Sequence, residues 1–280
     1  MTSKQNYNGQ IIHYSLHAIH SQEDVGFIPE EYSKFKHGAE NIARKYGYEL
    51  AEKFITNCLK GNYNGKQIII LPSAYSHIPT ASFYMKKYFV NKLNSYLFDA
   101  GYPVTEETKI YRSVSYRDDY GEMSAEQRYN LIKGDAFYID KKIIGDKIIL
   151  HLDDIKITGT HEQIIINMLN SNKLENMCYM LYFAELASEK LPPNIENYLN
   201  HKYVKSLDEI DFIIKNEQFC INTRVVKYIL NSTAIDFDNF IEKQQDNFIN
   251  DLYYNAIGNE YFKFPAYLRN LNHLKQIINT

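Results

Sequence analysis

The sequence predicts an α/β protein with a mainly parallel sheet flanked by helices, followed by an all-helical C-terminal subdomain. The short unbroken apolar run 68–71 is typical of a parallel strand buried on both faces, and 147–152 is the clearest strand in the chain. Stretches with a helical period separate these runs, and this alternation favours a parallel sheet with right-handed crossovers. After Pro192-Pro193 only helical periods remain. We therefore expect an α/β domain over 1–193 and a helical subdomain over 194–280.

The N-terminal part of the chain combines a strand with a long helix. The apolar stretch 11–18 predicts the strand. Pro29 and the two acids after it suit the first turn of a helix, because proline lacks an amide that this turn leaves unpaired and acids favour the positive end of the helix dipole. The helical period continues to about Lys60, where turn residues follow. Residues 1–66 would then form a hood or a helical extension of the domain.

The central part alternates strands with helices. The remaining predicted strands are 68–71, 109–114, 137–139, 147–152 and 176–183. The predicted helices are 79–98, 125–133 and one that begins at Thr160. The polar stretch 115–123 is typical of a loop. In the C-terminal part, helix caps are predicted at Ser206, Asn222 and Asp236, and Phe264-Pro265 begins the last helix.

Composition and charge exclude several classes of function. The 31 basic and 34 acidic residues leave a net charge of −3, which gives no overall basic field to recruit nucleic acid or a membrane surface. No apolar run approaches the roughly 18 residues that a membrane span needs. The N-terminus is polar and does not have the pattern of a signal peptide. The three cysteines lie far apart, which favours reduced thiols in a cytoplasmic protein over disulfides or a zinc site.

The run ILHLDDIKITGTHEQ, residues 149–163, carries the chemistry. Adjacent side chains within a strand point to opposite faces, so Asp153 and Asp154 can share a ligand only if the chain turns there. The carboxyl end of a parallel strand is also where open α/β sheets bind ligands. Two neighbouring carboxylates need a partner that donates hydrogen bonds, and a ribose diol is such a partner.

The loop after the two acids leads into a predicted helix. Free backbone amides and the positive dipole end make an anion site at such a helix start. Gly159 would let the backbone approach a phosphate closely, and Thr158 and Thr160 supply hydroxyl donors. A diol acceptor and a phosphate cradle therefore lie about one sugar apart, which fits a ribose 5-phosphate.

This run resembles the signature of type I phosphoribosyltransferases that binds 5-phosphoribosyl 1-diphosphate (PRPP). Arg112 and EQRYNLIKGDAF, residues 126–137, are similar to the competence-associated, ComF-like branch of that family. The resemblance implies that Asp153 and Asp154 hold the ribose hydroxyls. It also implies a 5-phosphate loop made of Ile157, Thr158, Gly159, Thr160 and His161. Ile157 and His161 depart from the family pattern, and Ile157 removes a hydroxyl from the loop.

The resemblance also implies a pyrophosphate site. Its loop would follow the strand 68–71 and contain Ser73, Ala74, Tyr75 and Ser76. Arg112 and Arg117 lie where the family has a flexible hood loop, and arginine suits diphosphate through its planar fork. Mg²⁺ is expected to arrive with PRPP, without a direct protein ligand. A nucleobase-like acceptor is the implied second substrate, and a homodimer is left open.

The sequence thus predicts phosphoribosyl transfer between PRPP and a nitrogen base or related acceptor. The alternative is a protein of the same fold that binds PRPP or a nucleotide and regulates without turnover. A phosphohydrolase is a third interpretation. Its two acids are usually separated by one residue, so that both lie on the same face of the strand, and Asp153 and Asp154 are adjacent. In a fourth interpretation the run has no binding function and is a solvent-exposed Asp-Asp turn before an ordinary helix. Because neighbouring carboxylates repel, replacing both acids by Asn is expected to leave the fold intact.

Overall fold

A computed structural model describes residues 7–108, 110–112, 137–138, 140–187 and 194–279. Five strands form one sheet in the order β1-β7-β6-β2-β3, and every neighbouring pair in it is parallel. A separate antiparallel pair joins β4 to β5. The strands are β1 Ile11–Ile19, β2 Ile68–Pro72, β3 Glu106–Glu107, β4 Tyr111–Arg112, β5 Phe137–Tyr138, β6 Ile148–Lys156 and β7 Cys178–Leu186.

Helices cover both faces of the sheet and form the described part of the C-terminal region. In chain order they are α1 Pro29–Lys36, α2 Glu40–Phe54, α3 Ala81–Asp99, α4 Lys141–Ile144, α5 Thr160–Ser171, α6 Ile195–Asn200, α7 Leu207–Asn216, α8 Thr223–Leu230, α9 Ala234–Ile241, α10 Asp246–Gly258 and α11 Pro265–Ile278. A π-helical turn, Ile55–Leu59, extends α2, and a 3₁₀ turn, Tyr261–Lys263, precedes α11. Among the described helices, none is both long and apolar enough to cross a bilayer.

Alternate residues of the central strands enter two cores. On one face, Leu150 and Leu152 of β6 pack in the large core that includes residues of α1, α2 and α3. On the other face, Ile149 packs in a smaller core with Ile165 and Leu169 of α5. The α/β class and the mainly parallel sheet predicted from the sequence are confirmed, because the five strands pair in parallel and the central ones are buried on both faces.

The C-terminal helices lie against α1 and the segment after it. The Ser33 hydroxyl donates to the carbonyl of Asn200 at 2.7 Å. The amide of Glu40 donates to the carbonyl of Gln218 at 2.6 Å. Regular structure in the described residues 194–279 is helical, apart from one isolated bridge that pairs Phe219 with Ala39. The helical C-terminal region predicted from the sequence is thereby confirmed for those residues, whereas the boundary at 193 stays a prediction.

Several predicted elements have different bounds. The helix predicted up to Lys60 is interrupted at 37–39, where Gly38 has a φ of 97°. A Cβ on Gly38 would lie 2.6 Å from the carbonyl oxygen of Cys220, so glycine is required where the C-terminal region crosses. The cap of α9 is Thr233, whose side chain accepts from the amide of Asp236, and not Asp236 itself.

Other predictions concern parts of the chain outside the described residues. These are the loop 115–123, the helix 125–133, and residues 109, 113, 114 and 139 of two strands. Within the described part, β4 and β5 confirm a strand at each of the two predicted places. The two-residue strand β3 was not predicted, because two acids in succession have no apolar pattern.

Candidate functional site

Asp153 lies on the α5 face of the sheet, near the carboxyl end of β6. Its neighbour in the register is Tyr182 of β7. One carboxylate oxygen of Asp153 lies 3.0 Å from Nδ1 of His161, in the first turn of α5. The other oxygen accepts the backbone amide of Asp154 at 2.9 Å. Because the partner of His161 is a carboxylate, we assign the proton of the imidazole to Nδ1.

These contacts keep Asp153 negatively charged. Burial by itself would raise the pKa of the Asp153 carboxyl, but the hydrogen bond and charge of His161 outweigh it, and the pKa lies well below its usual value. A carboxylate oxygen carries two lone pairs, so the oxygen bonded to His161 can accept a second hydrogen bond. The side chain is 9% exposed. Asp153 can therefore accept a hydroxyl group on the α5 face of the sheet.

Asp154 points to the opposite face. Its carboxylate accepts the hydroxyl of Tyr32 at 2.8 Å and forms an ion pair with Lys36, both on α1. Burial raises the pKa of Asp154, and the positive charge of Lys36 opposes the rise. The predicted turn at the two acids is wrong, because β6 runs four residues past Leu152 to Lys156. Strand geometry therefore separates the two carboxylates.

The predicted phosphate loop lies beside Asp153. Gly159 has a φ of 68° and a ψ of 7° and forms the N-cap of α5. The hydroxyls of Thr158 and Thr160 are 2.8 Å apart, and the amide of Thr160 donates weakly to Thr158 at 3.4 Å. Ile157 packs against the large core and supplies no polar group. The structure thus brings an acid, two hydroxyls and the start of a 12-residue helix together.

A partly buried ionic cluster adjoins this loop and was missed by the sequence reasoning. Glu162 of α5 accepts from Lys156 at 2.8 Å and from the Tyr182 hydroxyl at 2.8 Å, and lies 3.2 Å from His13 of β1. Burial would raise the pKa of Glu162, but these donors and the charge of Lys156 lower it to about 2. His13 and Tyr182 are distant in sequence, so no local pattern could have indicated the cluster.

A buried histidine on β6 was also missed. Nδ1 of His151 lies 2.9 Å from the carbonyl oxygen of Leu71 on β2, whereas its Nε2 atom is buried without a hydrogen-bond partner. Burial lowers the pKa of His151, so the ring is neutral at neutral pH. His151 therefore contributes a polar but uncharged group next to Asp153.

The predicted pyrophosphate loop follows β2 at the same edge of the sheet. Register pairs Pro72 with Leu152, and the Ser73 hydroxyl donates to the carbonyl of Leu152 at 3.2 Å. Ser73 and Ala74 are buried, whereas Ser76 is exposed. Tyr75 is half-buried, with its ring 5.4 Å from that of Phe83. The structure therefore places 73–76 beside the carboxyl end of β6.

A buried cation lies next to that loop. Lys86 of α3 is 3% exposed, and its ammonium lies 2.6 Å from Glu107 and 4.4 Å from the centre of the Phe83 ring. Sequence reasoning did not single it out, because one lysine in a helical stretch is normally a solvated residue. It places a positive charge close to the 73–76 loop.

The strand, the two acids, the loop and the helix lie within a segment that matches a known family. A family model described as PRTase ComF-like matches residues 12–274. The chain belongs to the ComF-like phosphoribosyltransferase family. The match spans the parallel sheet and most of the C-terminal helices, so the resemblance expected from the 149–163 run extends over nearly the whole ComF-like chain. Comparison with curated proteins gives no match.

Solved phosphoribosyltransferases resemble the chain distantly. A hypoxanthine phosphoribosyltransferase from Staphylococcus aureus is 14% identical, with 53% of this chain and 75% of that chain covered and a TM-score of 0.33. The hypoxanthine phosphoribosyl transferase of Trypanosoma cruzi is 16% identical, with 54% and 77% covered and a TM-score of 0.32.

Two further predicted residues lie outside what the structure describes in detail. The backbone of Arg112 forms part of β4, and Arg117 lies outside the described residues.

In the described part of the ComF-like chain, no group of three or more His, Cys, Asp or Glu could hold a metal ion directly. The histidines 13 and 17 lie on a strand, as the sequence indicated, and contact Glu162 and the ring of Phe183 respectively.

Proposed function

We propose that the chain binds PRPP and transfers its phosphoribosyl group to a nitrogen base. The main observation in support is that the Asp153 carboxylate and the loop 157–161 lie next to each other at the carboxyl end of β6. In this proposal the 5-phosphate lies at the start of α5, and Asp153 accepts a ribose hydroxyl. The loop 73–76, with Arg112 and Arg117, would contact the diphosphate.

The proposed reaction breaks the bond from ribose C1 to the diphosphate oxygen and forms a bond from C1 to the nitrogen of the acceptor. The diphosphate leaves with the electron pair, and the acceptor nitrogen releases its proton. Positive charge develops on the sugar in the transition state, where the ionised Asp153 is favourably placed near the ring. The protein's contribution is mainly to position the two reactants.

Mg²⁺ enters this proposal as part of the substrate. The ion neutralises charge on the diphosphate when it is bound there. The groups of the 73–76 loop fit this role, because they are hydroxyls and backbone groups that suit a hydrated ion carried by its phosphates.

The proposal also includes a cytoplasmic location, since the three cysteines are free thiols. It includes no nucleic-acid partner. It leaves a homodimer open.

Binding without turnover is the second candidate function. Two observations favour it: Ile157 offers no polar group to the phosphate loop, and Asp154 is already engaged by Tyr32 and Lys36. A regulatory protein of the same fold needs the phosphate cradle and Asp153 but no machinery for the acceptor. The C-terminal helices would then carry the response to the ligand.

One experiment separates these candidates. PRPP with Mg²⁺ is titrated into the protein by calorimetry, and pyrophosphate release is then assayed over a panel of purine and pyrimidine bases. Binding with release supports transfer. Binding without release over the whole panel supports the regulator, and a protein that binds neither PRPP nor ribose 5-phosphate contradicts both.

A further inference from the structure

A polar cleft lies between α7, α8 and α9 in the C-terminal region, and we call it the C-terminal cleft. Its volume is about 930 Å³, a size that is ordinary for sites of small ligands. Its lining includes the buried residues Leu207, Phe240 and Tyr267, so the cleft reaches the packed interior of the helices. The described lining shares no residue with the candidate site at the end of β6.

One face of α8 lines the cleft. Arg224, Lys227, Tyr228 and Asn231 follow the spacing i, i+3, i+4 and i+7, which places them on the same side of the helix. The other side of α8 consists of apolar, fully buried residues, namely Val225, Val226, Ile229 and Leu230. Packing of this apolar side therefore fixes the direction of the polar side.

The charges of the C-terminal cleft are distributed unevenly. Arg224 and Lys227 are half-buried, whereas the acids of the described lining, Asp208, Asp236 and Glu242, are all exposed. Positive charge thus lies in the depth of the cleft, and the negative charge lies at its rim. This distribution favours an anionic ligand, because the half-buried charges are screened less by solvent than the exposed ones.

Two of the rim acids already have donors within the chain. Asp208 accepts from Lys243 at 3.0 Å, and Asp236 accepts the hydroxyl of Thr233 at 2.7 Å. Arg224 and Lys227 also interact with other groups of the chain. A guanidinium has five N–H donors and an ammonium has three, so each can bind a ligand in addition. A phosphate group, with several acceptor oxygens, suits such a pair of cations.

An aromatic wall stands beside these cations. The rings of Tyr228 and His201 are half-buried, their centroids lie 6.0 Å apart, and their planes differ by 33°. Behind them, the buried His37 ring lies 5.6 Å from Tyr228 and 5.9 Å from His201. Nδ1 of His37 lies 2.8 Å from the carbonyl oxygen of Ser33, so α1 holds the wall in place. Aromatic side chains fixed in this way form a stacking surface for a planar ring.

We propose that the C-terminal cleft binds a nucleoside monophosphate, with its phosphate at Arg224 and Lys227 and its base against Tyr228 and His201. A free phosphate would leave the aromatic wall uncovered, and a nucleoside without phosphate would leave the two cations without an anion. The ligand that uses both features carries both groups. The proposal is independent of PRPP binding and adds a second site to the protein.

Calorimetric titration of adenosine 5′-monophosphate (AMP) tests the two halves of the cleft. Lys227→Gln should bind AMP about tenfold more weakly, because a charge-assisted hydrogen bond is lost. Tyr228→Leu should bind it about fivefold more weakly or worse, because the base loses its stacking partner. Adenosine and inorganic phosphate should each bind wild-type protein at least about tenfold more weakly than AMP does, since each uses one half of the site.

Matched controls come from exposed residues of the same region. Lys263, whose side chain is 58% exposed, pairs with Glu260, and Tyr254 is 60% exposed. Lys263→Gln and Tyr254→Leu should bind AMP like wild type. Each variant is also melted, and if Lys227→Gln melts early, Lys205→Gln at the exposed rim takes its place, with an expected loss of about threefold.

Photolabelling shows where AMP binds, because the phosphate loop near Asp153 could bind AMP as well. The full chain is irradiated with 8-azidoadenosine 5′-monophosphate, and the labelled peptides are identified by mass spectrometry. We expect label within 201–243 that excess AMP prevents and Tyr228→Leu diminishes. Label confined to 149–163 or 67–80 would overturn the proposal, and so would normal AMP binding by well-folded Lys227→Gln and Tyr228→Leu proteins. PRPP titration of the same proteins decides the proposed function separately.

Discussion

Nδ1 of His161 lies 3.0 Å from a carboxylate oxygen of Asp153, so the first turn of α5 holds the acid at the end of β6. The resemblance placed His161 in the 5-phosphate loop as a departure from the family pattern. The structure gives it a contact of its own, because it links the phosphate loop to the acid that would accept the ribose. This pair is the point where strand and loop meet.

Replacing His161 by Ala should make PRPP binding sensitive to acid. The hydrogen bond from His161 opposes the effect of burial on the pKa of Asp153, so its loss raises that pKa. A protonated Asp153 is a poorer acceptor, and affinity should fall as the pH decreases. We expect the ratio of variant to wild-type affinity to be at least threefold smaller at pH 5.5 than at pH 8 in calorimetric titrations.

His273→Ala is the control for that comparison. Nδ1 of His273 lies 2.8 Å from Asp238 in the C-terminal helices, so it is a second His–Asp pair of similar geometry. Its variant should show the wild-type pH dependence of PRPP binding. An equal pH effect in both variants would mean that His161 acts through general charge and not through Asp153.

Glu162→Gln should remove part of the pH dependence of stability. The pKa of Glu162 falls from 4.5 to about 2 on folding, so its contribution is fully present above pH 4.5 and is lost as the pH falls towards 2. At 1.36 kcal/mol for each pKa unit, that contribution is about 3 kcal/mol. Urea unfolding at pH 3 and pH 7 should therefore show a smaller difference in the variant than in wild type.

Glu52→Gln is the matched control for Glu162. Its side chain is 60% exposed and pairs with Lys92 at 2.9 Å. Exposed ion pairs of this kind contribute little, so the variant should differ from wild type by less than about 1 kcal/mol at either pH. A Glu162→Gln protein that unfolds like Glu52→Gln at both pH values would contradict the role of the cluster.

Gly159→Ala should lower the affinity for PRPP more than it lowers the stability of the fold. Residue 159 has a φ of 68°, where a side chain costs about 1 kcal/mol, but a Cβ there has its nearest neighbour at 3.7 Å. The cost to stability is therefore conformational and small. Gly101→Ala is the control, because its φ is 73° and nothing lies within 4 Å of its Cβ. Both should lose similar stability in urea, and only Gly159→Ala should bind PRPP several-fold more weakly.

Sequence patterns predicted the elements whose signals are local. The apolar runs of β2 and β6 predicted buried parallel strands, and Gly159 with the residues after it predicted the start of α5. The extension of β6 to Lys156 was missed because two adjacent acids read as a turn. The extension pairs with β7, and Tyr32 and Lys36, more than 100 residues earlier in the chain, contact Asp154 within it from the opposite face.

The same limit explains the rest of the candidate site. The break at Gly38 had a local signal, a glycine inside a helical period, but its contact with the carbonyl of Cys220 in the C-terminal region had none. The partners of Glu162 come from β1, β6 and β7, and Lys86 became notable only when its burial was known. Contacts between distant segments determine which polar residues are buried together.

Calorimetric titration of PRPP with Mg²⁺ into wild-type protein and Asp153→Asn tests the central claim most directly. Loss of one charge-assisted hydrogen bond is worth about 1.5–3 kcal/mol, so affinity should fall by about tenfold to 150-fold. Asp211→Asn, which alters a carboxylate paired with Lys215 on α7, should bind like wild type. If Asp153→Asn retains its wild-type melting temperature and binds PRPP as tightly as wild type, Asp153 does not hold the ribose and the account is contradicted.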